Sequence, residues 1–354
     1  MPVFLHGLST ALPPHCLTQT DVRARAAIIF GGKYPQFDRL SKSFATAGID
    51  RRYSVVPIEW FSEPHGWVDR NQAFMEGAKA LFIEAANRAL KDARWSSDEV
   101  DCVVTVSSTG IATPTLEAQV FTEMGFRENI MRVPLFGLGC AGGVSGLSVA
   151  QSIASGRRGT KVLLVIIETC SLAFRADRLQ KADIIATALF GDGAAAACLS
   201  SEASDANAQI VLGQGYQKMW PDTLSIMGWD VDETGFGVVF DRSIPNFVCA
   251  EFADATQGAL GDAQLSHGEI DRYVCHPGGA KVVEAIEGAL HLPSGSLDAE
   301  RETLREAGNM SAPTVLFVLE KVLSSGATGQ MMACALGPGF TASFLPLNVS
   351  EKAA

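Results

Sequence analysis

Long hydrophobic runs are missing from this sequence. No apolar stretch approaches the roughly 18 to 20 residues that cross a membrane, and the best, Val162 to Ile167, reads as a buried strand. Surplus positive charge is missing too: 28 Lys and Arg against 39 Asp and Glu leave a formal net charge of -11. A nucleic-acid partner is therefore not expected, because backbone binding needs a concentrated basic surface, and any anionic ligand must be met by a local basic patch. The cysteines at 16, 102, 140, 170, 198, 249, 275 and 334 form no CxxC pair and do not cluster with histidine at metal-ligand spacing. They read as reduced thiols of a soluble, cytoplasmic protein without a metal site. The start, Met-Pro-Val-Phe-Leu-His-Gly, lacks the basic region and apolar core of a secretory signal.

What is present points to an α/β chain. Of 354 residues, 47% are hydrophobic and 19% charged, which suits buried parallel strands, or a surface buried against a partner subunit. The sequence also echoes itself at a shift of about 170 residues. Glu99-Val-Asp-Cys-Val-Val-Thr105 is answered by Glu269-Ile-Asp-Arg-Tyr-Val-Cys275, and Ser155-Gly-Arg-Arg-Gly-Thr-Lys161 by Ser325-Gly-Ala-Thr-Gly-Gln-Met331. Chance similarity of short Gly/Asp patterns is the competing explanation. A real duplication implies two halves, 1–205 and 206–354, related by a pseudo-twofold axis, with the boundary in the polar stretch Ser200 to Asn207.

Equivalent loops of the two halves would converge on one site. Cys140 sits where the apolar stretch from Leu135 passes through glycines into a small-residue helical pattern. A helix N-terminus favours thiolate over thiol, so the position suits a nucleophile; a buried core cysteine in a Gly/Ala turn is the alternative. The echo aligns Gly139-Cys-Ala-Gly-Gly-Val144 with Gly308-Asn-Met-Ser-Ala-Pro313, which puts Asn309 at the equivalent helix start. His276 ends the strand that begins at Tyr273. Taken singly, His276 reads as structural and Asn309 as a helix cap. Together the three are chemically coherent: an imidazole to pair with the thiolate, and two donors for an oxyanion, as thioester acyl transfer or decarboxylation requires.

Gly139-Cys140-Ala141-Gly142, Ala188-Leu-Phe190-Gly-Asp-Gly, His276-Pro-Gly-Gly, Gly308-Asn309-Met-Ser311 and Gly337-Pro-Gly-Phe340 span nearly the whole chain. In these motifs the sequence resembles the chalcone synthase-like, type III polyketide synthase family of the thiolase superfamily. The resemblance implies a thiolase-like αβαβα layered fold. It implies that Cys140 loads an acyl-CoA starter, while His276 and Asn309 orient the malonyl-CoA extender and stabilise the enolate left by decarboxylation. No cofactor is implied, since both thioesters are substrates.

The resemblance also reaches the pocket. Phe190 matches the gatekeeper aromatic. Cys170, Ala173 and Ser108 match cavity positions where plant chalcone synthases have threonine, and Ser311 follows the catalytic Asn. Trp229 stands where those enzymes have glycine and Val238 where they have phenylalanine, so Ala173 and Val238 open volume that Trp229 can fill. Met227-Gly-Trp-Asp230 is similar to bacterial members that take fatty acyl starters and make alkylpyrones or alkylresorcinols. Thr113 falls where a plant methionine enters the partner's cavity, and a homodimer is implied. Arg39 and Lys42 match contacts to the CoA phosphates, with Thr46 replacing a third basic residue; a solvated helix face explains these charges as well. The alternative is a ketoacyl-ACP synthase III-like single-condensation enzyme, which shares the fold and the Cys/His/Asn set. It carries His-Gln-Ala-Asn and Gly-Asn-Thr-Ser where this chain has His276-Pro-Gly-Gly and Gly308-Asn-Met-Ser. A catalytically silent scaffold is the third reading, and the intact Cys140, His276 and Asn309 speak against it.

Overall fold

The apolar run at 162–167 lies inside a strand that is buried on both faces from Val162 onward. A strand of that kind needs a layer on each side. The computed structural model describes residues 1–203 and 208–351, so the expected boundary at 205/206 lies outside the described residues. The first half carries β1 (Val3–Ala11), β2 (His15–Thr18), β3 (Arg51–Ser54), β4 (Cys102–Val106), β5 (Met131–Leu135), β6 (Lys161–Thr169) and β7 (Asp192–Ser200). Its helices are α1 (Gln19–Phe30), α2 (Phe37–Leu40), α3 (Lys42–Thr46), α4 (Trp67–Ala93), α5 (Leu116–Gln119), α6 (Phe121–Met124), α7 (Gly142–Gly156) and α8 (Lys181–Leu189). The second half carries β8 (Ala208–Leu212), β9 (Tyr216–Met219), β10 (Met227–Val231), β11 (Phe236–Phe240), β12 (Arg272–Cys275), β13 (Gly329–Gly337) and β14 (Thr341–Glu351). Its helices are α9 (Ile244–Asp262), α10 (Ala280–Ala289), α11 (Asp298–Ala307) and α12 (Thr314–Ser324). No helix among the described residues is long and apolar enough to cross a membrane.

The main sheet runs β12-β13-β14-β8-β1-β7-β6-β4-β5, with β9 added on β14. Outward from the short β8–β1 seam, each half repeats one pattern: an antiparallel strand, a second antiparallel strand, then a parallel one. The sequence echo has a physical cause at its start. Ser96 and Glu99 form a capping box before β4, and Ser266 and Glu269 form its twin before β12. Asp101 Oδ2 then accepts the Lys161 N–H at 2.8 Å, and Asp271 Oδ2 accepts the Gln330 N–H at 2.8 Å. In each half, Glu sets the turn and Asp ties it to the neighbouring strand.

Side-chain alternation divides the strands among layers. Val103 of β4 and Leu163, Val165 and Ile167 of β6 pack outward with α4. Val104, Val106, Leu164 and Ile166 face the opposite way, into one inner cluster with Val144 and Leu147 of α7 and Leu316 and Leu319 of α12. Val274, Met331 and Ala333 enter that inner cluster from the second half, while Tyr273, Cys275, Met332 and Cys334 pack outward on α9 and α10. The result is helix, sheet, helix, sheet, helix, with α7 and α12 as the middle layer. Close contact there depends on Gly143, where a Cβ would stand 2.3 Å from Ala312 O and 2.6 Å from Val315 Cγ1. The segments after Cys140 and after Asn309 can touch only because that position has no side chain.

Candidate active site

Cys140 occupies the 3-10 turn Gly139–Ala141, which runs straight into α7. The Ser108 hydroxyl lies beneath this turn and accepts the N–H groups of Gly137 at 3.1 Å and Gly139 at 3.4 Å. Gly139 has φ +47°, and a Cβ there would meet Pro338 Cδ at 2.7 Å. Glycine is therefore required on both backbone and steric grounds.

Asn309 is placed differently from the expectation at a helix start. The helix begins only at Thr314, with Pro313 at its N-cap. Residues before it are committed to the other half: Asn309 N donates to Leu189 O at 2.9 Å, Gly191 N donates to Asn309 O at 3.0 Å, and Phe190 and Asn309 form a parallel β-bridge. Ser311 then takes a left-handed φ of +61°. This cross-link between halves uses the segment that would have been the first helical turn. Its amide is oriented by its own neighbours. The Asn309 Oδ1 accepts Ser311 N at 2.8 Å and Nδ2 donates one hydrogen to Gly278 O at 3.1 Å, leaving the second N–H of Nδ2 to face the Cys140 thiol.

His276 follows β12, with its backbone N–H on Cys334 O at 2.8 Å. The ring is buried, and neither Nδ1 nor Nε2 has a hydrogen-bond partner among the described residues. Cys140, His276 and Asn309 line one cavity, whose far wall is Met227, Phe240, Phe252 and Ile286. Burial dominates its electrostatics. It pushes the Cys140 thiol up to about 11, against the opposing pull of hydrogen bonds from Ser311 and Asn309, and it brings the His276 imidazole down to about 3. Burial thus opposes the thiolate expected from the helix N-terminus and favours a neutral thiol beside a neutral imidazole.

This assembly was set beside known proteins. The N-terminal domain family of chalcone and stilbene synthases matches residues 3–203, and the C-terminal domain family of chalcone and stilbene synthases matches residues 211–347. The chain belongs to this family. The 1,3,6,8-tetrahydroxynaphthalene synthase of Streptomyces peucetius subsp. caesius is 35% identical over 97% of this chain and 92% of its own length. The α-pyrone synthesis polyketide synthase-like Pks18 of Mycobacterium tuberculosis is 27% identical, covering 98% and 91%. The crystal structure of the 1,3,6,8-tetrahydroxynaphthalene synthase of Streptomyces coelicolor A3(2), described as a bacterial type III polyketide synthase, superposes with a TM-score of 0.92 at 27% identity. That superposition covers 99% of this chain and 100% of the other. The thiolase-like layering and the type III polyketide synthase class, an acyltransferase class, follow.

In this synthase the remaining pocket positions separate into groups. Phe190, Cys170 and Ala173 line a second cavity with Leu17, Val22 and Phe61, in the first half. Trp229 and Val238 are paired across β10 and β11 and cluster with Ala173, Phe236 and Phe190. Trp229 stacks on Phe236 at 5.4 Å and its Nε1 donates to Ser108 O at 2.8 Å, so the indole is anchored in the space that Val238 and Ala173 leave. Ser311 is buried beside Asn309. Thr113 is exposed and lines neither cavity of its own chain. Arg39 and Lys42 are exposed on α2 and α3, without an ion-pair partner among the described residues; both helices pack on α8, which leads to Phe190.

One buried acid was absent from the sequence-based site. Glu168 is fully buried at the end of β6, where Oε2 accepts Ser108 N at 2.9 Å and Thr109 Oγ1 at 2.7 Å, while Oε1 has no partner. Burial raises its carboxyl to about 8. A lone acid closing the apolar run Val-Leu-Leu-Val-Ile-Ile was the signal available in the sequence.

Proposed function

We propose that Cys140 is the nucleophile of an iterative, decarboxylative condensation that uses an acyl-CoA starter and malonyl-CoA. The observation that carries this is the common cavity of Cys140, His276 and Asn309, with both imidazole nitrogens unpartnered among the described residues and the Asn309 amide turned to the Cys140 thiol. In loading, the Cys140 proton passes to His276 and the sulfur attacks the thioester carbonyl. The C–S bond to CoA breaks, and the departing CoA thiolate takes the proton back from the imidazolium. In extension, malonyl-CoA loses carbon dioxide and the electron pair of the broken C–C bond passes to the thioester oxygen. His276 and the Asn309 Nδ2 N–H that faces the Cys140 sulfur donate to that enolate oxygen. The enolate carbon then attacks the Cys140 thioester, which releases the thiolate and gives a β-ketoacyl-CoA two carbons longer. Repetition and ring closure in the same site complete the cycle.

For the starter, the apolar cavity lined by Leu17, Val22, Phe61, Ala173 and Phe174 favours an alkyl chain, and an alkylpyrone or resorcinol-type ring is the product we assign. Arg39 and Lys42 are the cations placed to meet CoA phosphates. A homodimer is favoured by the free edge of β5 and by exposed Ile111, Met131 and Phe136 near the segment that carries Thr113. Sedimentation at micromolar concentration should give the dimer mass, and a monomer mass overturns that part. The test of the whole reading is product mass spectrometry after incubation with malonyl-CoA and acyl-CoAs of increasing length. Cyclised products with several malonyl-derived units and a retained alkyl chain are expected. A single linear ketone would instead identify a one-step ketoacyl synthase, a fused-ring product lacking the alkyl chain would displace the fatty starter, and no product would refute the enzyme.

A further inference from the structure

Arg52 lies on β3 and is only 2% exposed, yet no carboxylate among the described residues pairs with it. Its acceptors are all neutral. Nη1 donates to Thr187 O at 2.7 Å and Phe190 O at 3.3 Å; Nη2 donates to Ala188 O at 3.0 Å and to the side-chain oxygen of Gln19. Three of the four acceptors are carbonyls at the end of α8, where a helix leaves such groups unpaired. That last turn has no basic residue of its own. A guanidinium from β3 therefore supplies both the missing donors and the positive charge that suits a helix C-terminus. Gln19 secures the arrangement, with Nε2 donating to Ala188 O at 3.1 Å and Phe44 O at 3.0 Å.

Burying an unpaired cation is unfavourable, and an apolar side chain would fill the same space at lower cost. What only the guanidinium adds is a planar fan of donors. That fan fixes the base of the Phe190–Asn309 bridge. Leu189 O, in the same turn, receives Asn309 N, and Gly191 N donates to Asn309 O. Arg52 Cβ lies 3.0 Å and 3.3 Å from where a Cβ would stand on Gly191 and Gly308, so both strands of the bridge rest on its stem.

We propose that Arg52 is a positioning residue for the condensation: it clamps the end of α8 and, through the bridge, holds the Asn309 amide and the Phe190 ring in register. Arg52 also lines the second cavity, but its Nη groups are taken up by the α8 carbonyls and Gln19, so it acts through Asn309 and Phe190. The proposal rests on Asn309 being an enolate donor.

The test uses Arg52→Lys, which keeps the charge but not the fan, and Arg52→Met, which keeps the stem but not the charge. For each, malonyl-CoA decarboxylation, acylation of Cys140 by an acyl-CoA, and the melting temperature are measured. Decarboxylation should fall about tenfold or more, through a lower kcat at similar KM, while acylation stays within about twofold and the product mixture changes. Equal losses in the two half-reactions, or no loss in either, in a variant that melts like the wild type would overturn the proposal. Should both variants fail to fold, Gln19→Met removes the support of the guanidinium from outside the bridge, and the same ratio decides. A wild-type enzyme that forms no polyketide refutes the functional reading itself. A productive wild type with an unchanged ratio in Arg52→Lys refutes only the positioning role.

Discussion

Two cavities meet at the Phe190–Asn309 bridge, and they are built from different materials. Asn309 lines one, where a thiol, an imidazole and an amide face each other with unused hydrogen-bonding capacity. Phe190 lines the other, where Leu17, Val22, Phe61 and Phe174 leave mostly hydrocarbon. In the first, position decides the chemistry, since the Asn309 amide is held by Ser311 N and Gly278 O and the His276 backbone by Cys334 O. In the second, volume decides what enters. On the proposed function, the difference teaches how one enzyme class can keep its reaction while its substrate changes: the residues proposed to set the two properties sit on opposite sides of a single backbone contact.

The strongest challenge to that division is Cys140→Ala. Product formation and acyl-enzyme should vanish, while malonyl-CoA decarboxylation persists because His276 and Asn309 remain; an unchanged product rate would remove Cys140 from its role. Next is Asn309→Ala, expected to slow decarboxylation by about 10²–10³-fold, the usual loss for one preorganised oxyanion donor, with much less effect on loading. A parallel loss of both half-reactions would point to a folding defect instead.

A third prediction concerns the acid that influences both cavities. Burial raises the thiols of Cys140 and Cys170, the Glu168 carboxylate adds to that shift in both, and its own carboxyl is lifted from 4.5 to about 8 by burial. The folded state therefore holds a proton that the unfolded state releases above 4.5, so this group's contribution to stability is present below 4.5 and declines as pH rises towards 8. Glu168→Gln should reduce that decline by about 3 to 4 kcal/mol between pH 5 and 8 in denaturant unfolding. An identical pH slope in both proteins would mean the carboxyl ionises normally. The smallest expected change is in the apolar cavity. Ala173→Leu should lower loading of long acyl-CoAs about tenfold relative to short ones, the scale on which a pocket discriminates a methylene or two. If long and short starters fall together, Ala173 does not face the chain.

Much of the catalytic cavity was legible in the sequence because its residues are tied to local motifs. The Glu-x-Asp echo marks a capping box and a strand tie, and both halves keep the same bonds at Asp101 and Asp271. The order of layers was implied by the family resemblance, and the double-sided burial of β6 agrees with it. What the sequence could not show were outcomes of competition between distant groups. The helix N-terminus favours a Cys140 thiolate by about 1 kcal/mol, and complete burial outweighs it. The start of α12 moved to Thr314 because Asn309 is bonded to a turn more than a hundred residues away. Trp229 has no local pattern that discloses its anchor on Ser108 O, and Arg52 gives no local sign that its acceptors are carbonyls of α8.

The central claim is that the polar cavity loads the substrate on one thiol. Peptide mapping by mass spectrometry after brief exposure to an acyl-CoA alone tests it directly, because Cys140 has the other seven cysteines of the chain as competitors. The account predicts a single thioester adduct on Cys140, absent in Cys140→Ala. An adduct on Cys170 or Cys334 with Cys140 unmodified, under conditions where product still forms, would contradict it.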